Sequence, residues 1–212
     1  MHQWFSDHAI IYLVGLVAQL LFSARLLVQW ILSEKVKKVL TPELFWQLSL
    51  AASFLFFLYG WLRDDFAIML GQTITYFIYI RNMQIQKTWQ RLSLYLRLFL
   101  WAFPVLILFY SYSNGQSDIE RLFFNQSIPL WLIVWGSVAQ VVFTFRFIYQ
   151  WIYSEKIKRS HLPIGFWLLS LAGSLMILTY AIIRKDPILF LGQLFGSVIY
   201  ARNIMISKKE SK

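Results

Sequence analysis

Apolar residues fill long, nearly unbroken runs along the whole chain, and short polar stretches separate these runs. Each run holds about 18 or more residues, which is the length that an α-helix needs to cross a bilayer. The pattern therefore predicts an all-α chain of seven transmembrane helices. We place them at Ile10–Leu32, Leu44–Leu62, Phe66–Ile85, Leu92–Tyr112, Pro129–Tyr153, Ile164–Ile183 and Pro187–Ile206.

The composition agrees with a membrane protein. Hydrophobic residues make up 58% of the chain and charged residues only 14%, which is too few to cover the surface of a soluble domain. The net charge of +10 sits mainly in short connections between the runs, so membrane topology explains it better than nucleic-acid binding. The chain contains no cysteine, which excludes disulfides and thiolate metal sites.

The connections differ in charge on the two sides of the predicted bundle. Basic residues are retained preferentially on the cytoplasmic side of membrane proteins. This rule places the N-terminus outside and the C-terminus in the cytoplasm, and an odd number of spans requires the same arrangement. The basic residues assigned to the cytoplasmic side are Lys35, Lys37, Lys38, Lys87, Arg91, Lys156, Lys158, Arg159, Lys208, Lys209 and Lys212.

An internal repeat organises the chain. Residues 19–82 align without a gap to residues 140–203, and 28 of the 64 aligned positions are identical. The predicted domains are a three-helix repeat at 10–85, a linker helix with an external loop at 86–128, and a second three-helix repeat at 129–206. Since one linker helix restores the orientation, the repeats are parallel, in a 3-1-3 order typical of transporters.

Arginine recurs inside four apolar runs of the two repeats, each time with a glutamine or asparagine nearby. An intramembrane charge costs about 2.5–3.5 kcal/mol on insertion scales and normally has a partner. No predicted span contains an aspartate or glutamate in its interior, so an anion from outside the chain, best a phosphate, would suit these arginines. The predicted phosphate- or lipid-binding residues are Arg25, Gln29, Arg81, Asn82, Arg146, Gln150, Arg202 and Asn203.

Each of these assignments has an alternative. The alternative for Arg25 is that it bonds Glu34 of its own repeat and extends to ordinary headgroups. A second predicted set would contact a glycan or line a pathway, although its tryptophans also fit an interfacial aromatic belt. This set is Trp30, Trp46, Gln72, Tyr79, Trp151, Trp167, Gln193 and Tyr200.

Motifs of soluble enzymes are absent from the sequence. It has no glycine-rich phosphate loop, no histidine-rich metal cluster and no nucleophile elbow. We therefore expect no catalytic activity, no metal and no cofactor in this chain.

Motifs spread through the second repeat carry a family resemblance. They are R-F-x-x-Q-W-x-x-S-E-K, P-x-x-F-W-x-L-S-L-x-G-S, R-K-D-P, L-G-Q and Y-x-R-N, within residues 146–203. This block resembles the lipid A biosynthesis N-terminal domain family, which in some bacteria is fused ahead of lipid-A-disaccharide synthase. The first repeat matches the same pattern more loosely, so the chain is identified as two tandem copies. The three-helix unit is also similar to that of the SWEET and PQ-loop carriers.

The resemblance implies a multi-pass protein of the bacterial inner membrane, with membrane lipids and a lipid-linked sugar phosphate as partners. Our first hypothesis is a carrier or flippase for that sugar phosphate. The rival is a non-transporting subunit that docks a membrane-associated glycosyltransferase. A SWEET-like carrier of small solutes is the weaker alternative, because the predicted helix Ile10–Leu32 lacks the proline hinge of those carriers.

Overall fold

The computed structural model describes residues 2–62, 66–114, 129–184 and 187–210. Within these ranges the chain forms seven α-helices and one 3-10 helix, Trp89–Arg91, and it contains no strand. The prediction of an all-helical chain is confirmed for this part. The α-helices are α1 (His2–Val36), α2 (Glu43–Leu62), α3 (Phe66–Ile85), α4 (Leu94–Asn114), α5 (Leu130–Ile157), α6 (Ile164–Arg184) and α7 (Pro187–Glu210). Most of the predicted external loop, residues 115–128, lies outside the described residues.

α1 and α5 end with the same backbone conformation. Lys37 follows α1 with φ 56° and Lys158 follows α5 with φ 54°, so both adopt the left-handed conformation that closes many helices. After α1, the Lys38 amide donates back to the carbonyl of Ser33 at 3.2 Å. α1 therefore extends four residues, Ser33 to Val36, beyond its predicted end at Leu32.

The starts of α2 and α6 depend on proline. Pro42 and Pro163 each precede a helix, and their carbonyls accept hydrogen bonds from the amides of Phe45 and Phe166 at 3.0 and 2.9 Å. Proline is well tolerated there because its missing N–H would have no partner at the beginning of a helix.

Four helical segments in the described part are long and apolar enough to cross a membrane. They are Leu13–Val36, Glu43–Leu62, Leu130–Ile157 and Ile164–Ile183. A shorter apolar segment, Leu94–Ile107, lies in α4. The count of seven spans, their 3-1-3 order and the orientation of the termini stay predictions.

The chain divides into two compact units. Unit 1 consists of Met1–Leu27 and Pro42–Glu120, and unit 2 consists of Val28–Thr41 and Arg121–Lys212. The last part of α1 and the loop after it therefore group with the second half of the chain. This division does not test the predicted repeat boundaries, which stay predictions.

In unit 1, aromatic side chains join α4 to α2. The ring of Phe103 lies 4.6 Å from that of Phe54 and 5.8 Å from that of Phe57, measured between centroids. Phe99 contacts Phe54 as well, at 6.1 Å. The predicted linker helix thus packs against the first repeat through ring contacts, each of which stabilises by about 0.5–1.5 kcal/mol beyond simple burial.

In unit 2, small residues on α6 allow a close approach of α5. A Cβ placed on Gly173 would lie 2.9 Å from the Cα and from the backbone nitrogen of Phe143. Ser170 and Ser174 extend the same small-residue stripe, and both have no exposed surface. The contact holds Phe143 at a fixed distance from α6, one turn before Arg146.

We expect Gly173→Ala to destabilise unit 2 by about 1–3 kcal/mol, because the added methyl group meets backbone that cannot move aside. Gly192→Ala is the matched control, since a Cβ there meets no atom within 4 Å. Thermal unfolding of both variants in the same detergent measures the effect. Equal melting temperatures for the two variants would show that the close approach of α5 and α6 is absent.

Candidate anion-binding site

Arg25 lies inside unit 1, with only 4% of its surface exposed. Its Nη1 donates to the hydroxyl of Ser49 at 2.8 Å and to the hydroxyl of Tyr79 at 3.2 Å. Its Cζ lies 4.7 Å from the ring centroid of Phe22 and 5.3 Å from that of Phe45. The described partners of this cation are thus neutral hydroxyls and aromatic faces, brought together from α1, α2 and α3.

Arg146 occupies the equivalent position in unit 2, with 5% of its surface exposed. Its Nη1 donates to the hydroxyl of Tyr200 at 3.3 Å. Its Cζ lies 3.4 Å from the ring centroid of Phe143 and 5.6 Å from that of Phe166, with the Phe147 ring also near, at 4.8 Å. The sequence repeat is therefore also a repeat of the environment around the arginine.

The aromatic rings explain how a buried guanidinium is accommodated. An arginine over an aromatic face within about 6 Å gains up to about 2 kcal/mol when water is excluded. Hydroxyl oxygens add hydrogen bonds to a charged group, each contributing about 1.5–3 kcal/mol. Neither of these two kinds of partner carries a negative charge.

Two serines at equivalent positions bond the helix backbone in the same way. Ser49 donates its proton to the carbonyl of Phe45, and it also accepts a hydrogen bond from Arg25. Ser170 donates to the carbonyl of Phe166 at 2.6 Å.

Gln29 is fully buried in unit 2 and pairs with the side chain of Asn203. Gln29 Nε2 donates to Asn203 Oδ1 at 2.9 Å, and Asn203 Nδ2 donates back to Gln29 Oε1 at 3.2 Å. Asn203 also donates to the carbonyl of Ile199. The amides predicted to bind a phosphate thus make a reciprocal bond that ties α1 to α7.

Gln29 and Gln150 also anchor the loops that follow their helices. Gln29 donates to Ser33 and to the carbonyl of Leu40, while Gln150 donates to Ser154 at 2.8 Å and to the carbonyl of His161 at 3.1 Å. The serine hydroxyls in turn accept from the backbone amides of Leu40 and His161. This network satisfies backbone groups that would otherwise be buried without partners.

Glu34 pairs with Arg202, not with Arg25. Arg202 Nε donates to one carboxylate oxygen at 2.9 Å and Nη2 to the other at 2.6 Å, and Lys37 is a further partner of Glu34. The alternative in which Arg25 bonds Glu34 is therefore wrong: the bidentate geometry that suits guanidinium and carboxylate forms at Arg202 instead. Arg81, the counterpart of Arg202, is half-buried and donates to Gln84 at 3.2 Å. Asn82 is fully buried and donates to the carbonyl of Ile78.

The predicted tryptophans fall into two groups. Trp46 and Trp167 have no exposed surface and pack against Tyr79 and Tyr200, with centroids 5.9 and 6.2 Å apart. These two are enclosed in their own units, so the interfacial belt does not describe them. Trp151 is 39% exposed and donates to Glu155 at 3.3 Å. Trp30 is half-buried.

The predicted pathway glutamines lie farther along α3 and α7. Gln72 accepts a hydrogen bond from the hydroxyl of Ser53 through Oε1 at 2.9 Å. At Gln193 it is the backbone carbonyl that accepts, from Ser174 at 3.1 Å and from Ser197 at 2.8 Å. Neither glutamine has a described contact with the buried arginines.

The arginine sites also contain residues that the sequence analysis passed over. Phe22 and Phe143, and likewise Phe45 and Phe166, form the aromatic faces around the guanidinium groups. Both pairs are identical at the repeat offset of 121 positions. That identity was the signal that could have identified both pairs, and Phe22 and Phe143 also lie one helical turn before Arg25 and Arg146.

Comparison with known proteins gives a family match over most of the chain. A family model described as the lipid A biosynthesis N-terminal domain matches residues 14–84 and again residues 135–205. The two matches confirm the tandem duplication. No solved structure matches the chain at a significant level.

The relatives found are named lipid-A-disaccharide synthase. Those from Chlamydia felis and Chlamydia pneumoniae are 31% and 30% identical to this chain, and that from Chlamydia caviae is 29% identical. Each alignment covers 96% of this chain but 34% of the relative. The chain thus spans about a third of the length of the curated relatives it matches.

We expect the substitutions Gln29→Ala and Asn203→Ala to be strongly coupled. In a double-mutant cycle the interaction free energy should reach about 1 kcal/mol or more, because the amides bond to each other. Unfolding by SDS titration of the two single variants and the double variant measures it. Gln193→Ala combined with Gln29→Ala is the control: Gln193 lies ten residues from Asn203, about 15 Å along α7, so those effects should add. Additive effects for Gln29 and Asn203 as well would rule out the reciprocal pair.

Proposed function

The chain belongs to the lipid A biosynthesis N-terminal domain family, and from this premise we propose that it is a carrier or flippase for a lipid-linked sugar phosphate. The observation that carries the proposal is the duplicated site in which Arg25 and Arg146 lie buried against rings and hydroxyls. Both arginines lie within helical segments that are apolar enough to cross a membrane. A lipid-linked ligand would reach them from the bilayer. Polyprenyl-phosphate sugars and lipid A precursors are the substrate classes that fit.

The described partners of the arginines favour exchange for a phosphate. Hydrogen bonds between two ionised groups are roughly twice as strong as neutral ones. A phosphate oxygen arriving at Arg25 would therefore replace the hydroxyl of Ser49 or Tyr79 at a net gain. By contrast, Arg202 already holds the carboxylate of Glu34 in a bidentate pair, so we assign it to positioning α1 and not to ligand binding.

The remaining predicted residues have supporting roles in this proposal. Gln29, Gln150, Asn82 and Asn203 fix the helix ends and loops, so that the arginines keep their depth. Tyr79 and Tyr200 hold the guanidinium groups. The predicted spans contain no carboxylate in their interiors, so the proposal includes no proton relay through the chain.

A second candidate function is a membrane subunit that docks or feeds a glycosyltransferase at the inner membrane. It is favoured by the relatives, in which the matched region is 34% of a longer chain named lipid-A-disaccharide synthase. In that case the exposed parts of residues 33–41 and 154–162 would contact the enzyme. The buried arginines would then serve the fold of each unit.

We expect Arg25→Gln/Arg146→Gln to lose a bound lipid phosphate that the unchanged protein retains. The amide keeps one or two hydrogen bonds to the hydroxyls but removes the charge that a phosphate requires. Native mass spectrometry of the proteins purified in mild detergent identifies the retained lipids and their ratio. Arg91→Gln is the control variant, since Arg91 lies at the surface in an ion pair with Glu43.

Loss of a polyprenyl phosphate or lipid A precursor in the double variant alone supports the proposal. The carrier proposal is wrong if all three proteins retain only bulk phospholipid in equal amounts. Substitution of the loop residues Lys38→Ala and Arg159→Ala, with glycolipid synthesis as the readout, then tests the docking function.

A further inference from the structure

Trp167 has a buried polar atom that its surroundings leave unsatisfied. The residue has no exposed surface, and within the described residues its Nε1 finds no hydrogen-bond partner. An indole N–H can only donate, so the missing partner has to be an acceptor. Because a buried N–H without an acceptor destabilises a fold, this position points to an acceptor supplied from outside the chain.

The indole belongs to the same cluster as Arg146. Its ring lies 6.2 Å from the ring of Tyr200 and 4.9 Å from that of Phe166, between centroids. Arg146 donates to the hydroxyl of Tyr200, and its Cζ lies 5.6 Å from the centroid of Phe166. Two donor groups, the guanidinium and the indole N–H, therefore share two aromatic neighbours in unit 2.

We propose that unit 2 contains the principal ligand site, in which Arg146 and the Nε1–H of Trp167 bind oxygens of one phosphate group. This inference rests on the proposed function and deepens it, since it assigns the ligand to one of two equivalent sites and names a second donor. Both groups donate and neither accepts, so the site selects an acceptor-rich anion over an amine or a neutral alcohol. A phosphate monoester or diphosphate fits, whether on a lipid or free.

The test compares Trp167→Phe with Trp46→Phe, its equivalent in unit 1. Phenylalanine replaces the indole by a smaller aromatic ring that has no N–H. Isothermal titration in detergent uses three probes: farnesyl phosphate, inorganic phosphate, and farnesol as the uncharged control. We expect Trp167→Phe to weaken farnesyl phosphate binding about tenfold, as for loss of a hydrogen bond to a charged group, and Trp46→Phe to leave it within about twofold.

The two phosphate probes distinguish the source of the anion. Binding of farnesyl phosphate with little binding of inorganic phosphate identifies a lipid-linked group as the ligand. Comparable affinities for both identify a free phosphate, and the Trp167 effect should then be seen with each. Binding of farnesol as tight as that of farnesyl phosphate would overturn the inference, because the phosphate group would then contribute nothing to the affinity.

A spectroscopic readout tests the hydrogen bond directly. In protein labelled with ¹⁵N-tryptophan, the indole N–H signal missing from Trp167→Phe should shift downfield on addition of farnesyl phosphate, while that of Trp46 stays in place. If Trp167→Phe fails to fold, judged by its ligand-free melting temperature, β-(3-benzothienyl)alanine at position 167 replaces the N–H by sulfur at nearly constant shape.

The failure of this inference differs from the failure of the proposed function. Wild-type affinity and an unmoved signal for Trp167, combined with loss of binding in Arg146→Gln, overturn the role of Trp167 and leave the phosphate site standing. Loss of binding in Arg25→Gln but not in Arg146→Gln places the ligand in unit 1 and also overturns the inference. Binding that is unchanged in both arginine variants removes the proposed function, and this inference with it.

Discussion

The contact between a buried guanidinium and aromatic faces is the interaction on which the account of this chain depends. Arg25 and Arg146 have about one-twentieth of their surface exposed, and a charged group that leaves water needs compensating partners. Phe22 and Phe143 provide a face from the arginine's own helix, while Phe45 and Phe166 provide one from the next. The tyrosines of α3 and α7 complete the arrangement with a hydroxyl. A change at any of these rings would alter the field that an anion meets.

The polar residues in the apolar runs have two different roles. The described contacts of the arginines are with hydroxyl groups and aromatic rings, whereas the amides of Gln29, Gln150 and Asn203 close loops and join helices. Glu34 and Arg202 neutralise each other in unit 2. These amides and this ion pair bond to groups of the protein itself. They position the site but offer no net charge to a ligand.

Much of the fold could be predicted from the sequence, because helix length and apolar runs are local properties. The predicted helix Phe66–Ile85 matches α3, and Leu44–Leu62 differs from α2 by one residue. The end of α1 was predicted too early, since a helix does not stop where its side chains become polar. Tertiary pairs were harder: nothing in the spacing of Glu34 links it to Arg202, which lies 168 positions away. The phenylalanines around the arginines were overlooked because they do not differ in polarity from the apolar residues around them. Their identity at the repeat offset was nevertheless visible in the sequence.

The central claim is that a buried arginine of this chain contacts the phosphate of a lipid-linked ligand. Solid-state NMR measures that contact directly, through dipolar dephasing of the ¹⁵N guanidinium signals by ³¹P in membranes containing farnesyl phosphate. The account predicts dephasing of a guanidinium signal that disappears in Arg146→Gln, with no comparable effect in Arg91→Gln. Dephasing confined to guanidinium signals that remain in both Arg25→Gln and Arg146→Gln would contradict it, because the phosphate would then lie outside both arginine sites.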